Sequence, residues 1–165
     1  MRSRIAFVAF VALSLSAIVA NAATHADYSE TPDEFGSGTQ RVVTMATDDT
    51  AFVGLNLVCR GDGPLLLQLV VRDTLFPSSL DHDSGVMLLP VTMKVDTAPE
   101  AIRRDWNMPL GQYENAMFPG DVDALVDQML KGDRLSLRVE RGAQVYRFDL
   151  KEARPHIRPW ISACR

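Results

Sequence analysis

The chain has 165 residues, 47% of them hydrophobic, with 21 Asp and Glu against 17 Lys and Arg and a formal net charge of −4. That length suits one domain. The acidic balance lacks the surplus of cations by which proteins grip nucleic-acid phosphates, so nucleic acid is excluded as an expected partner.

Arg2 and Arg4 precede an almost wholly apolar or small run from Ile5 to Ala20, and Ala20-Asn21-Ala22 fits the small-x-small pattern cut by signal peptidase. Residues 1–22 therefore read as a secretory signal peptide. A retained membrane anchor fits less well, because the run is shorter than the about 20 residues of a spanning helix. After cleavage no stable membrane span is expected, and a periplasmic or secreted location follows. Residues 23–39 are polar and interrupted in their periodicity, which predicts a mobile lead-in. Residues 40–165 are then a single β-rich domain.

Arg41 to Thr47 is rich in β-branched residues and reads as a strand. From Ala51 to Asp73 the odd positions are apolar on both sides of Gly61-Asp62-Gly63-Pro64, which predicts two strands joined by a turn. Arg60-Gly61-Asp62 also spells the integrin tripeptide, but an arginine before a Gly-Asp turn is ordinary. Leu75 to Gly85 is a polar loop. Met87, Leu89, Val91, Met93 and Val95 then repeat with period two, and Pro90 on the other face predicts a sheet edge or a bulge. Asp96 to Pro109 reads as irregular with Trp106 as its anchor, and Gln112 to Phe118 as a short strand.

Pro119 to Lys131 places Val122, Leu125, Val126, Met129 and Leu130 on one helical stripe, with Gly120 or Asp121 as cap and Gly132 as stop. Arg134 to Arg141 and Gln144 to Leu150 alternate cleanly and form a second hairpin. In the tail, Pro159 opens a short helical turn that holds Trp160 and Ile161. The whole predicts a mainly β fold, an antiparallel β-sandwich-like domain with one amphipathic helix and a short C-terminal helical turn.

Cys59 and Cys164 are the two cysteines. In an exported chain they are expected to pair, the alternative being two free thiols. Their spacing excludes a CxxC motif, and two cysteines alone make no zinc site. The best enzymatic candidate is the loop Ser78 to Ser84, where His82 lies between Asp81 and Asp83. Two carboxylates beside one histidine supply neither a tetrahedral ligand set nor an oriented nucleophile, and a solvated turn accounts for them. No cofactor is implied. Lys151, Arg154, His156 and Arg158, with Arg165, form a locally basic cluster. It is the candidate partner-binding surface, for an acidic partner or phospholipid head groups, although a solvated face explains such a cluster too.

A succession of motifs carries a family resemblance. Leu55-Asn56-Leu57-Val58-Cys59 ends an early strand, Val91-Thr92-Met93-Lys94-Val95-Asp96 a later one, and Trp106 follows. After the helix come Gly132 to Val139, GDRLSLRV, then Tyr146 to Leu150, YRFDL, and last Cys164. This order resembles the TagO/VasI proteins, periplasmic accessories of type VI secretion, and is also similar to the invasion-associated locus B family of small exported proteins. Pro155 and Pro159 depart from the smooth apolar C-terminal helix of that pattern, Lys94 stands where an arginine is usual, and the early tryptophan of the invasion-associated proteins is absent. The resemblance implies a disulfide-tied β domain with a non-enzymatic accessory role and an envelope or secretion-system protein as partner. Two other readings follow from the residues. One is an acidic inhibitor of a basic hydrolase such as lysozyme. The other is an envelope hydrolase using the loop around His82.

Overall fold

The computed structural model describes residues 24–32, 38–47, 53–61, 63–71, 86–109, 115–139 and 145–165. Its elements run in chain order as β1 (Thr24–Pro32), β2 (Thr39–Thr47), β3 (Val53–Arg60), β4 (Leu66–Val71), β5 (Val86–Val95), β6 (Ile102–Pro109), β7 (Asn115–Met117), α1 (Val122–Met129), β8 (Arg134–Val139), β9 (Val145–Asp149) and α2 (Leu150–Cys164). The signal-peptide reading of residues 1–22, the loop around His82 and the turn of the second hairpin, at residues 142–143, lie outside the described residues.

The strands form one nine-stranded sheet in the order β1-β2-β3-β4-β7-β6-β5-β8-β9, every pair antiparallel. The mainly β expectation holds at this level, but the architecture is a single curled half-barrel rather than two facing sheets. The reason is β7. It pairs with β4 through three residues and with β6 through Asn107 and Met117, so two four-stranded halves are hydrogen-bonded into one surface. The right-handed twist of such a surface turns it around its own apolar side.

Alternation decides what faces inward. In β3, Val53, Leu55, Leu57 and Cys59 are fully buried, and the register sets Leu57 between Val43 and Leu67, and Leu55 between Met45 and Leu69. In the other half Val91, Met93 and Val95 oppose Val139, Leu137 and Leu135, which in turn face Tyr146 and Phe148. These side chains belong to one core with Trp106 and the buried stripes of both helices. The hairpin at its centre is the predicted one. Gly61 turns it with φ +49°, a conformation that suits a residue lacking Cβ, and its N–H donates to the Thr39 carbonyl.

Three expectations are corrected. Thr24–Pro32, predicted within a mobile lead-in, is the edge strand β1, paired with β2 along its whole length. Its alternation is sparse but sufficient: Ala26 and Tyr28 pack on the core, and Glu30 is held by the Tyr28 hydroxyl and by Arg41 Nε at 3.2 Å. The stretch from Asp96 to Pro109, predicted irregular, contains β6. Its polar sequence hides a strand whose inward positions Ile102 and Trp106 oppose Met93 and Leu89. The short C-terminal turn is instead a 15-residue helix that contains both Pro155 and Pro159. Each proline costs an intrahelical hydrogen bond. Both are exposed and four residues apart, so the bonds are lost on the solvent side, while Leu150, Ala153, Ile157, Trp160 and Ile161 are buried on the other.

Pro90 was predicted at an edge or bulge, yet β5 is an interior strand. The ladder to β6 passes through Pro90, opposite Asp105, and the described ladder to β8 runs from Val91 to Val95.

The helices close the curl. The Asp121 side chain caps α1 by accepting from the Ala124 N–H at 3.1 Å. Gly132, beyond its end, is buried, and a Cβ there would overlap Val95 Cγ1. The Asp149 carboxylate caps α2, accepting from Lys151 N–H at 2.8 Å and Glu152 N–H at 3.4 Å. From β9 this helix runs over β1 and β2, where Trp160 Nε1 donates to the Arg41 carbonyl at 3.1 Å. It ends at the predicted disulfide: Cys164 is bonded to Cys59 on β3, with 6.1 Å between the Cα atoms.

Candidate functional site

Several of the basic residues of α2 and its end are held in ion pairs. Lys151 Nζ lies 3.1 Å from Asp133 Oδ2, and the Arg154 guanidinium reaches Asp133 Oδ1 at 3.3 Å and the Gly132 carbonyl at 2.6 Å. The hydrogen bond from Lys151, followed by that from Arg154, holds the Asp133 carboxyl below its ordinary range. Arg165 bridges Asp123 Oδ1 at 2.8 Å and Asp127 Oδ1 at 3.0 Å, and these carboxylates raise the guanidinium above its usual value. These cations fasten α2 to α1 and to the turn after it. His156 is half-buried, and Arg158 is exposed. Arg60, the first residue of the Arg-Gly-Asp tripeptide, donates from Nε to Gln40 Oε1 at 3.0 Å. Among the described residues no three His, Cys, Asp or Glu side chains are grouped as a metal site, and no helix is long and apolar enough to cross a membrane.

A different surface gathers charge from residues far apart in the chain. The outward positions of β6, β5, β8 and β9 share one face, because residues directly opposite in a ladder point the same way. One row across the four strands reads Arg103, Thr92, Arg138, Val145, and the next reads Lys94, Ser136, Arg147 on β5, β8 and β9. Arg134 follows on β8, opposite Asp149. Lys94, Arg103, Arg134 and Arg138 are exposed. No two of the five cations are directly opposite each other, so the face avoids the repulsion that facing like charges would bring.

The same face carries Leu88, 52% exposed, and Val145, 38% exposed, the exposed large hydrophobics among the described residues. Beside Val145 lies an open depression of about 210 Å³, lined by Thr92, Met93, Lys94, Ser136, Leu137 and Arg138. The acids on this face among the described residues are Asp105, opposite Pro90, Asp96, which follows β5 and donates its N–H to the Arg134 carbonyl at 3.0 Å, and Asp149, whose carboxylate is turned to the first amides of α2. A concentration of cations flanked by exposed aliphatic side chains is suited to recognition by charge and contact.

Sequence reading had placed the binding cations on α2 because they cluster along the chain. The sheet cations are scattered from residue 94 to residue 147 and become neighbours only through strand pairing. Their signal is the outward half of each alternation, Lys94 on β5 and Ser136 and Arg138 on β8.

Comparison with protein-family models, with curated proteins and with solved structures finds no match to this chain.

Proposed function

We propose that this chain is a periplasmic or secreted, non-enzymatic interaction protein, an accessory to an envelope or secretion assembly, and that it docks through the outer face of β6, β5, β8 and β9. The observation that carries this reading is the exposed cationic face with Leu88 and Val145 on it, in a chain whose overall charge is negative. The signal-peptide pattern at the N-terminus and the order of motifs shared with the TagO/VasI and invasion-associated proteins support the export and the accessory role. The Cys59–Cys164 bond is consistent with an oxidising compartment. An inhibitor of a basic hydrolase needs an anionic contact surface, and the charge of this face favours a partner of the opposite sign.

A tagged copy with a photoreactive side chain at Ser136 tests the reading, by crosslinking in the envelope of its own host. We expect capture of an envelope or secretion-system component, retained when His82 is replaced by Ala. Capture of a single basic hydrolase would move the assignment to the inhibitor, and absence of any adduct would remove the docking face.

A further inference from the structure

We infer that the outer face of β2, β3 and β4 is a dimerisation surface, occupied by a second copy of this chain about a two-fold axis at Asn56. The surface lies in the other half of the sheet from the cationic face, and the inference stands apart from the docking reading above.

Register lays this face out in rows. Val42, Val58 and Leu66 are directly opposite one another across the three strands. So are Thr44, Asn56 and Gln68 in the next row, and Ala46, Gly54 and Val70 in the one after. Alternation turns them all away from the core. Val58, 3% exposed, stands outside the core cluster, and the half-buried Val42, Leu66 and Val70 do not pack on it either. Both helices turn their buried stripes to the core, so neither covers these rows. None of the side chains in them is charged, although 23% of the chain is Asp, Glu, Lys or Arg. A sheet face left to water alternates toward polar and charged residues, whereas an uncharged, largely aliphatic one is the kind that a second layer covers.

Asn56, half-buried at the centre of the middle row, says what the layer is. Its Oδ1 is shielded from solvent and accepts no hydrogen bond, an unfavourable state for a polar atom. Two copies related by an axis along the middle row set Asn56 against Asn56. Rotation about Cβ–Cγ turns Oδ1 outward, and each Nδ2 then donates to the Oδ1 of the other copy. The same axis exchanges the outer rows, so that Val42 meets Ala46, Val58 meets Gly54 and Leu66 meets Val70. Larger side chains thereby fall on smaller ones, and a glycine within a strand suits such a close approach. The nearest charges, Asp27 opposite Thr44 and Arg60 opposite Gln40, are exposed at the rim, where water and salt screen them. A bilayer would instead bury Thr44, Asn56 and Gln68 without partners, and a charged ligand would find no counter-charge. The sheet curls away on both sides of the patch, so the contact is small and the dissociation constant is expected to be of the order of 10 μM.

The test follows the mass of the oxidised chain, purified from an exporting bacterial host, by sedimentation over a concentration series. A monomer–dimer equilibrium is expected. Asn56→Asp sets two carboxylates against each other on the axis and is expected to weaken the dimer by about ten-fold or more, at an unchanged thermal midpoint in dilute solution. Thr44→Cys, also on the axis, is expected to join two copies through a short bis-maleimide. Ser136→Cys, on the cationic face, is not. Cys59 and Cys164 are bonded to each other and do not react.

A chain that stays monomeric up to about 1 mM would overturn the inference. In that event a Thr44→Cys thiol protected from a simple maleimide would show another segment of the chain on the face, and retention on phosphatidylglycerol vesicles would reassign it to a membrane. A dimer that survives Asn56→Asp, or that crosslinks through Ser136→Cys, would put the contact elsewhere and overturn the inference as well. Capture of an envelope component through Ser136 is expected to persist in Asn56→Asp, so the docking reading and this one fail separately.

Discussion

Asp133 shows how much a single exposed residue can organise. Its carboxylate receives Lys151 and Arg154, its N–H donates to Asp96 Oδ1 at 3.0 Å, and its carbonyl accepts from the Leu150 N–H at 2.9 Å. The entry to β8, the turn after β5 and the start of α2 all meet at this one position. Because the cations lower its proton affinity in the fold, the unfolded chain takes up a proton that the folded chain still refuses. Its contribution is therefore complete above the ordinary carboxylate range and is lost as pH falls through the lowered value. Glu30, lowered by the Tyr28 hydroxyl and then by Arg41, acts in the same sense. Asp133→Asn is expected to flatten the fall in thermal midpoint below about pH 4, and acid titrations parallel to the wild type would refute this. Beside it, Gly132→Ala should cost about 1–3 kcal/mol in denaturant unfolding, because Val95 is buried and has to yield to the new Cβ.

At the scale of the element, α2 sets two costs against a large burial. The prolines forfeit the N–H groups that would reach the Lys151 and Pro155 carbonyls, while Ile157 and Trp160 are fully buried. Pro155→Ala restores one bond and removes a ring from the helix interior. We expect a gain of about 1 kcal/mol, net of the added freedom of the unfolded chain, measured as a higher thermal midpoint. Asp149→Ala removes the cap and should lose about 1 kcal/mol in the same assay.

The sequence could not show that the helix begins at Leu150, because proline argues against helix wherever burial is unknown. The apolar spacing of Leu150, Ala153, Ile157, Trp160 and Ile161 was present and was outweighed. The clean alternations of β3, β4, β5 and β8 were legible because each buries one whole face. β1 and β6 were not, since at an edge strand and in a polar strand only two or three side chains turn inward. The outer face was illegible for another reason: its cations become neighbours only through pairings between residues far apart in the chain.

Over the whole molecule, the Cys59–Cys164 bond closes a loop of 105 residues. In the chain-entropy account such a loop is worth up to about 4.7 kcal/mol. Cys59→Ser and Cys164→Ser should each lose a similar amount, and the double variant no more than either. Additive losses would separate the two residues energetically and refute a shared origin. The bond also fixes where α2 lies, and thereby the contact of Trp160 with β2.

Among the described residues the curled sheet has one seam that strand pairing does not close, between the edges of β1 and β9. α2 lies across it, continuous with β9 at one end and riveted to β3 at the other, in the manner of the buckle on a cuff. The girth of the half-barrel is thereby set by a bond outside the sheet. In the middle of the strand order, β7 joins the two halves. Reduction undoes the buckle and leaves the strand pairing. Amide exchange should then quicken first along β1 and β9, with β3 and β4 still protected.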